Sequence, residues 1–156
     1  MPTYDGKSIT LADLATHTAG LPLRPGNLPS KDPADPYAGY TREELYGFLS
    51  SYKLTRAPGA KYDYSNVGFG LLGNVLSERA KQSFDVLIKT RITGPLGMAD
   101  TRIAATADME TRAATGYDGA LHPVSHWHMG TLDSAGGFRS TADDLLKLVD
   151  AFLGFH

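Results

Sequence analysis

The chain has 156 residues, of which 42% are hydrophobic, with a formal net charge of −2 and no cysteine. This length fits one domain with a buried core. The balanced charge offers no basic face, which argues against nucleic acid and anionic lipid as partners. The absence of cysteine excludes disulfides and thiolate metal sites. No run approaches the roughly 20 apolar residues of a membrane span, and no signal-peptide pattern is present.

The first two predicted helices have clear start signals. Thr10 is placed to cap the first helix with Asp13 three residues later. Thr41 is placed to cap the second, where Glu44 completes a capping box. The second helix is also expected to bury one apolar stripe, formed by Leu45, Phe48, Leu49 and Tyr52.

A third helix is predicted from the segment SNVGFGLLGNVLSERAK, at residues 65–81. Its apolar residues recur at helical spacing and are expected to be buried: Val67, Leu71, Val75 and Leu76. Gly68, Gly70 and Gly73 each lower helix propensity by about 1 kcal/mol. Another element is therefore expected to pack closely against them.

Two further helices are predicted near residues 83–92 and 140–153. The last is expected to begin at Ser140 as its cap and to bury a stripe of Leu145, Leu148, Val149 and Phe152. The stretch between them is irregular, with room for two or three short strands. The expected fold class is therefore mostly α with a few short strands.

Tyr64 and Asn66 form a Tyr-x-Asn pattern at the start of the third helix. A tyrosine beside a cation can relay a proton from a hydroxyl, and an asparagine offers a donor and an acceptor to a substrate amide. By itself the pattern is more typical of a capped helix with a packed tyrosine.

Four ordered segments give this pattern a context: THTAGLP (16–22), PGAKYDYSNVGFGLLG (58–73), ITGPLGMADT (92–101) and AGGFRSTADDLLKL (135–148). Together they resemble the serine β-lactamase-like family of class C β-lactamases, D,D-peptidases (penicillin-binding proteins) and esterases. The resemblance implies that the chain is the helical part of an α+β fold. It implies an acyl-enzyme hydrolase acting on a β-lactam, a D-Ala-type peptide or a small ester, without a cofactor.

The resemblance also implies roles for individual residues. Tyr64 would transfer protons to and from the nucleophile, and Asn66 would bind the substrate's amide or ester side chain. Trp127, Gly136 and Gly137 would lie at the edge of the substrate pocket.

Two elements of the family pattern are missing from their expected places. The Ser-x-x-Lys motif should precede residue 16, and a Lys-Thr-Gly or His-x-Gly strand should follow residue 148. Ser50 to Lys53 matches the first pattern literally and His128 to Gly130 the second, but both lie in the wrong order along the chain. We therefore expect a single partial domain over residues 1–156 whose partners are the missing flanking segments. By itself it would be inactive, and its parent would be a periplasmic or extracellular protein.

Two alternatives remain open at this stage. The chain could be a non-catalytic binding or assembly module that keeps one wall of the cleft. It could also be a small metal-binding protein, because His122, His126 and His128 fall within seven residues. In that alternative His126 and His128 would share one face of a strand, although no carboxylate follows in the sequence before Asp133.

Overall fold

The computed structural model describes residues 1–30 and 32–155, and in this part of the chain helices predominate. In chain order the elements are β1 (Thr3–Tyr4), β2 (Lys7–Ser8), α1 (Leu11–Ala15), α2 (Arg42–Ser51), α3 (Asn66–Ala80), α4 (Phe84–Ile88), a π-helical turn (Lys89–Thr93), α5 (Ala107–Arg112), β3 (Gly116–Tyr117), β4 (Pro123–Val124), a 3₁₀ helix (Gly130–Ala135) and α6 (Ala142–Phe152). The prediction of a mostly α structure with a few short strands is confirmed.

Local hydrogen bonding sets the starts of α1 and α2. The Thr10 hydroxyl accepts from the Asp13 backbone N–H at 3.1 Å, and the Asp13 carboxylate accepts from the Thr10 N–H at 2.9 Å. Thr41 and Glu44 form the same reciprocal pair at the start of α2. Each box supplies partners to backbone groups that a helix end leaves unpaired, as the sequence predicted.

The hydrophobic core lies between α1, α2, α3 and the 3₁₀ helix. Leu45 and Leu49 are buried, and Phe48 and Tyr52 pack against them, so the predicted stripe of α2 is confirmed. The fully or nearly fully buried core residues are Leu14, Ala19, Leu21, Tyr37, Tyr40, Leu45, Leu49, Leu54, Val67, Leu71, Met129 and Leu132.

The glycine face of α3 packs directly against the 3₁₀ helix. A Cβ on Gly70 would overlap Leu132, whose Cα would lie only 3.1 Å away, and a Cβ on Gly73 would overlap the Ser134 side chain. The Ser134 hydroxyl donates to the Phe69 carbonyl at 2.7 Å across this contact. The predicted close approach to the α3 glycines is confirmed, and it offsets their low helix propensity.

Two predicted apolar stripes are wrong in part. On α3, Val67 and Leu71 are buried, but Val75 and Leu76 lie at the surface. On α6, Leu148 is half-buried, while the other three stripe residues are exposed: Leu145 by 50%, Val149 by 47% and Phe152 by 83%. Periodicity identified the apolar face of α6 correctly, but no described residue of this chain covers it.

The start of α6 differs from the prediction by one residue. Thr141, not Ser140, is the N-cap, and its hydroxyl accepts from the Asp144 N–H at 3.2 Å. Both residues can cap a helix, and the Ser140 hydroxyl instead lies 2.7 Å from that of Thr101.

The strands form two small antiparallel hairpins, β1 with β2 and β3 with β4. The second hairpin lies where short strands were predicted, whereas the first hairpin and α5 were not predicted. Two-residue strands and a six-residue helix are too short to leave a periodic signal. Among the described residues, no helix has both the length and the hydropathy to cross a bilayer.

Candidate active site

The centre of the candidate site is the start of α3, where Ser65 caps the helix. The Ser65 hydroxyl accepts from the Gly68 N–H at 2.8 Å and donates to the Pro22 carbonyl at 2.7 Å. Ser65 is only 2% exposed, so its side chain is committed to the interior. Because successive side chains in extended backbone point in opposite directions, Tyr64 is directed outward.

Tyr64 projects from this point into solvent. Its side chain is 51% exposed, and within residues 1–30 and 32–155 its hydroxyl makes no hydrogen bond. One side of its ring lies against the imidazole of His17, with ring centroids 4.5 Å apart. The tyrosine is therefore held through its ring while its hydroxyl stays available.

The first two family-like segments meet here. The Asp63 N–H donates to the His17 carbonyl at 2.8 Å, and the Ser65 N–H donates to His17 Nδ1 at 3.2 Å. The Asn66 N–H donates to the Leu23 carbonyl at 3.1 Å. Residues 16–23 thus lie alongside residues 63–66 and fix the backbone that carries Tyr64 and Asn66.

Asn66 is half-buried and connects the start of α3 to a cluster of aromatic residues. Its Nδ2 donates to the Tyr37 hydroxyl at 2.9 Å, and the buried Tyr37 ring lies 5.7 Å from that of Trp127. The Arg24 guanidinium lies over both rings, 5.7 Å from the Tyr37 centroid and 5.8 Å from the Trp127 centroid. Asn66 and Trp127 are therefore linked through Tyr37, with a cation held beside them.

Gly136 and Gly137 follow the 3₁₀ helix in a tight turn. The N–H groups of both donate to the Asp133 carbonyl, at 3.2 Å and 2.7 Å. A Cβ on Gly137 would lie 3.0 Å from that same oxygen, so the turn leaves little room for a side chain there. Trp127 and Gly137 also line one surface groove of about 330 Å³.

Asp133 lies in the same groove and carries a raised pKa. Burial is the main cause, and the nearby charge of Asp85 adds to it, while His128 opposes the shift. The groove therefore has an acidic wall beside Trp127 whose carboxyl binds a proton more readily than a free aspartate does.

The family model described as Beta-lactamase matches residues 1–154. The chain belongs to the beta-lactamase family. The resemblance seen in the four ordered segments is confirmed, and with it the hydrolase character of the family.

Two curated members of the beta-lactamase family illustrate the similarity. The D-alanyl-D-alanine-carboxypeptidase/endopeptidase AmpH of Escherichia coli K12 is 35% identical over 153 residues, which are 98% of this chain and 38% of AmpH. A beta-lactamase of the same organism is 33% identical over 149 residues, 93% of this chain and 36% of that protein.

Solved beta-lactamase structures agree on the fold. A beta-lactamase/D-alanine carboxypeptidase from Yersinia pestis, complexed with citrate, superposes with a TM-score of 0.80 at 32% identity, over 97% of this chain and 42% of that one. A class C beta-lactamase in complex with cefoxitin gives 0.78 at 30% identity, over 96% and 40%. The chain thus has the fold of the helical part of these enzymes and spans about two fifths of their length.

Neither of the out-of-order motifs has the geometry that the beta-lactamase family needs. Ser50 lies in the last turn of α2 and its hydroxyl donates to the Gly47 carbonyl, whereas Lys53 lies beyond the extended C-cap Tyr52. A helical Ser-x-x-Lys would place serine and lysine on one face, one turn apart. His128 and Gly130 do not lie in a strand, because Gly130 begins the 3₁₀ helix.

The three histidines separate in space. His128 contacts Asp35, with Nδ1 2.6 Å from the carboxylate, and His122 contacts Asp118 at 3.3 Å. The expectation that His126 and His128 share a strand face is wrong, since both lie outside the strands. In the described part of the chain, no three histidine, aspartate or glutamate side chains are grouped as metal ligands.

Sequence reasoning missed three residues of the site: His17, Arg24 and Tyr37. His17 lies inside the THTAGLP segment, and its place in that family-like segment is a signal that could have identified it. Tyr37 and Arg24 lie in a proline-rich stretch with no periodicity, and only the tertiary fold brings them to Asn66.

Proposed function

We propose that this chain carries the tyrosine–asparagine side of the active site of a serine hydrolase that works through an acyl-enzyme. In this proposal Tyr64 transfers protons to and from the nucleophile, and Asn66 binds the amide or ester group of the acyl side chain. The observation that carries it is the start of α3. There Ser65 is buried as the helix cap, while the Tyr64 hydroxyl remains open to solvent.

The hydrogen-bonding capacity of Asn66 supports its role. One N–H of its amide is used by the Tyr37 hydroxyl, which leaves the second N–H and the carbonyl oxygen. A substrate amide or ester can meet a donor and an acceptor there. The contact with Tyr37 fixes the plane of the asparagine amide and so orients both groups.

Tyr64 needs a cation beside it to act as a base, because a phenol is a weak base at neutral pH. In the family pattern, the lysine of Ser-x-x-Lys supplies this charge. Proton transfer would then pass between the serine hydroxyl and the Tyr64 oxygen, and the nucleophile would form an ester with the acyl group.

We further propose that the chain acts as one partial domain of a longer protein. It spans 38% of AmpH, and the exposed α6 residues Leu145, Val149 and Phe152 form an apolar face typical of a surface that another element covers. The complete protein would act outside the cytoplasm on D-Ala-type peptides, β-lactams or small esters. The carboxypeptidase named in AmpH and the cefoxitin bound by the class C enzyme support this range.

The experiment uses the full-length protein that contains this sequence, assayed for hydrolysis of nitrophenyl esters and acylation by a fluorescent penicillin. Tyr64→Phe should lower kcat by about 10²- to 10⁴-fold, the usual contribution of general acid–base catalysis. Asn66→Ala should lower kcat/KM by roughly tenfold through a lost substrate hydrogen bond.

Tyr62→Phe is the matched control. Tyr62 is an exposed tyrosine two residues away, and its loss of a hydroxyl should leave kcat unchanged. The 156-residue chain alone should show no acylation above background. Equal activity of Tyr64→Phe and Tyr62→Phe would contradict the catalytic assignment, and a full-length protein without any acylation would favour a binding module.

A further inference from the structure

His17 contacts the Tyr64 ring and the backbone on both sides of it. Its carbonyl accepts the Asp63 N–H at 2.8 Å, its Nδ1 accepts the Ser65 N–H at 3.2 Å, and its ring lies 4.5 Å from the Tyr64 ring. The two residues on either side of Tyr64 are thus both bound to the same histidine. Tyr64 itself is left to move only about its side-chain torsions.

The backbone of His17 is shaped for this contact. Its φ is +57°, in the left-handed region that few residues other than glycine, asparagine, aspartate and histidine adopt. The ring is also enclosed by Phe69 and Tyr62, with centroids 4.8 Å and 5.7 Å away. Three aromatic neighbours and one hydrogen bond therefore fix the position of the imidazole.

The hydrogen bond from the Ser65 N–H requires one particular protonation state of the His17 ring. Nδ1 can accept an N–H only when it carries no proton, so the ring is neutral with its proton on Nε2. Protonation would place two donors against each other and break this bond.

In residues 1–30 and 32–155, no carboxylate forms an ion pair with His17. Asp63 is paired with Arg56, and Asp13, which lies in α1, accepts from the Thr18 hydroxyl. The first three turns of α3 carry no charged residue. Two of the aromatic neighbours of the ring, Tyr62 and Tyr64, are themselves titratable.

We infer that His17 is a positioning residue for Tyr64, which in its neutral form fixes the backbone on both sides of the tyrosine and loses the Ser65 bond when protonated. The inference rests on the proposed role of Tyr64. It predicts that kcat falls in acid because of a residue that does not touch the reacting atoms.

The test follows the backbone amide of Ser65 by ¹⁵N NMR in the purified protein between about pH 5 and 8, where imidazoles exchange protons. In the native protein the Ser65 signal should change with pH, because its bond to His17 Nδ1 needs an unprotonated nitrogen. In His17→Asn it should stay protected but become independent of pH. Asparagine tolerates the left-handed backbone and offers its side-chain oxygen near the position of Nδ1.

His17→Gly keeps the backbone conformation and the carbonyl but removes the ring. Ser65 amide exchange should then be roughly fivefold faster, the loss of one hydrogen bond. His122→Asn is the same change at an exposed histidine. It should leave the pH dependence of the Ser65 amide signal as in the native protein. A Ser65 signal that does not titrate natively, or unchanged exchange in His17→Gly, would overturn the inference.

Catalysis provides the readout that a purely structural role would not change. In the full-length protein, kcat should fall on the acid side, and His17→Asn should flatten that limb with KM unchanged. An acid limb that persists in His17→Asn would refute the positioning role. If Tyr64→Phe were fully active, the proposed function would fail. The pH dependence of the Ser65 amide signal would still report on the contact between His17 and Ser65.

Discussion

Arg24 is the residue that most directly suggests a substrate preference. It lies on the Tyr37 and Trp127 rings beside Asn66, and in residues 1–30 and 32–155 no carboxylate is paired with it. A guanidinium held on aromatic faces keeps its N–H donors free for a planar anion. An acyl side chain that carries a carboxylate would fit this arrangement.

Arg24→Gln should therefore lower kcat/KM for substrates with an anionic acyl side chain by roughly tenfold, while neutral substrates change little. Arg79→Gln is the control, since Arg79 is exposed in the last turn of α3, at the far end from Asn66. The comparison is made with paired anionic and neutral nitrophenyl esters. An equal loss of kcat/KM for both esters would contradict recognition of the substrate's charge by Arg24.

At this scale the sequence predicted the chemistry but not the neighbours. The order of the four segments singled out Tyr64 and Asn66 as site candidates, and their catalytic roles remain predictions. The contact between His128 and Asp35 joins residues 93 positions apart, so sequence spacing gave no indication of it. A search of neighbouring positions in the sequence cannot find a carboxylate that only the fold brings close.

Among the elements, α3 depends most on its glycines. Gly70→Ala would push a methyl group into Leu132, and it should lower the free energy of unfolding by about 1–3 kcal/mol, as overpacking does. Urea denaturation measures the change. A stability equal to or above that of the native protein would show that the 3₁₀ helix can move aside.

Gly47→Ala is the matched control in α2. Nothing lies within 4 Å of a Cβ at Gly47, and the residue is exposed in mid-helix. The same substitution should stabilise the protein there by roughly 0.5–1 kcal/mol through helix propensity. Changes of opposite sign in the free energy of unfolding at Gly70 and Gly47 would separate the effect of close packing from that of helix propensity.

Helix starts were predictable because their signals are local. Thr10 with Asp13 and Thr41 with Glu44 bond within four residues, and no tertiary information is needed to place them. The burial of α6 was not predictable in the same way. A 3.6-residue period shows that Leu145 and Val149 share a face, but it does not show whether anything packs on that face.

For the molecule as a whole, Asp144 connects α6 to the loop after the π-helical turn. Its buried carboxylate accepts from the Asp100 N–H at 2.8 Å, the Thr101 hydroxyl at 3.0 Å and Lys147 Nζ at 2.8 Å. Burial would raise the pKa of Asp144, but these hydrogen bonds outweigh it and lower the pKa below 3.8. The ionised form therefore stabilises the fold.

A lowered pKa sets the direction of the pH dependence. The stabilisation is complete above the unfolded value of 3.8 and is lost as the pH falls through the folded pKa. Asp144→Asn should cost about 1–3 kcal/mol near pH 7, and the difference from the native protein should shrink in acid. Urea denaturation at pH 7 and near pH 3 measures both values.

Asp143→Asn is the control, an exposed acid in the same turn of α6. It should change stability by only a few tenths of a kcal/mol, the usual size of a surface effect. A constant difference between Asp144→Asn and the native protein at both pH values would contradict a role for the ionised carboxylate.

The inward orientation of Ser65 has a consequence for mutational scanning. With Tyr64 and Asn66 in the proposed roles, a scan scored by activity alone would find residues 64–66 intolerant in a row and would suggest a serine nucleophile in the middle. Ser65 is the helix cap, so its substitution would deplete folded protein instead of slowing turnover. Only a scan that measures abundance beside activity can distinguish the serine that caps the helix from the residues proposed to act in the reaction.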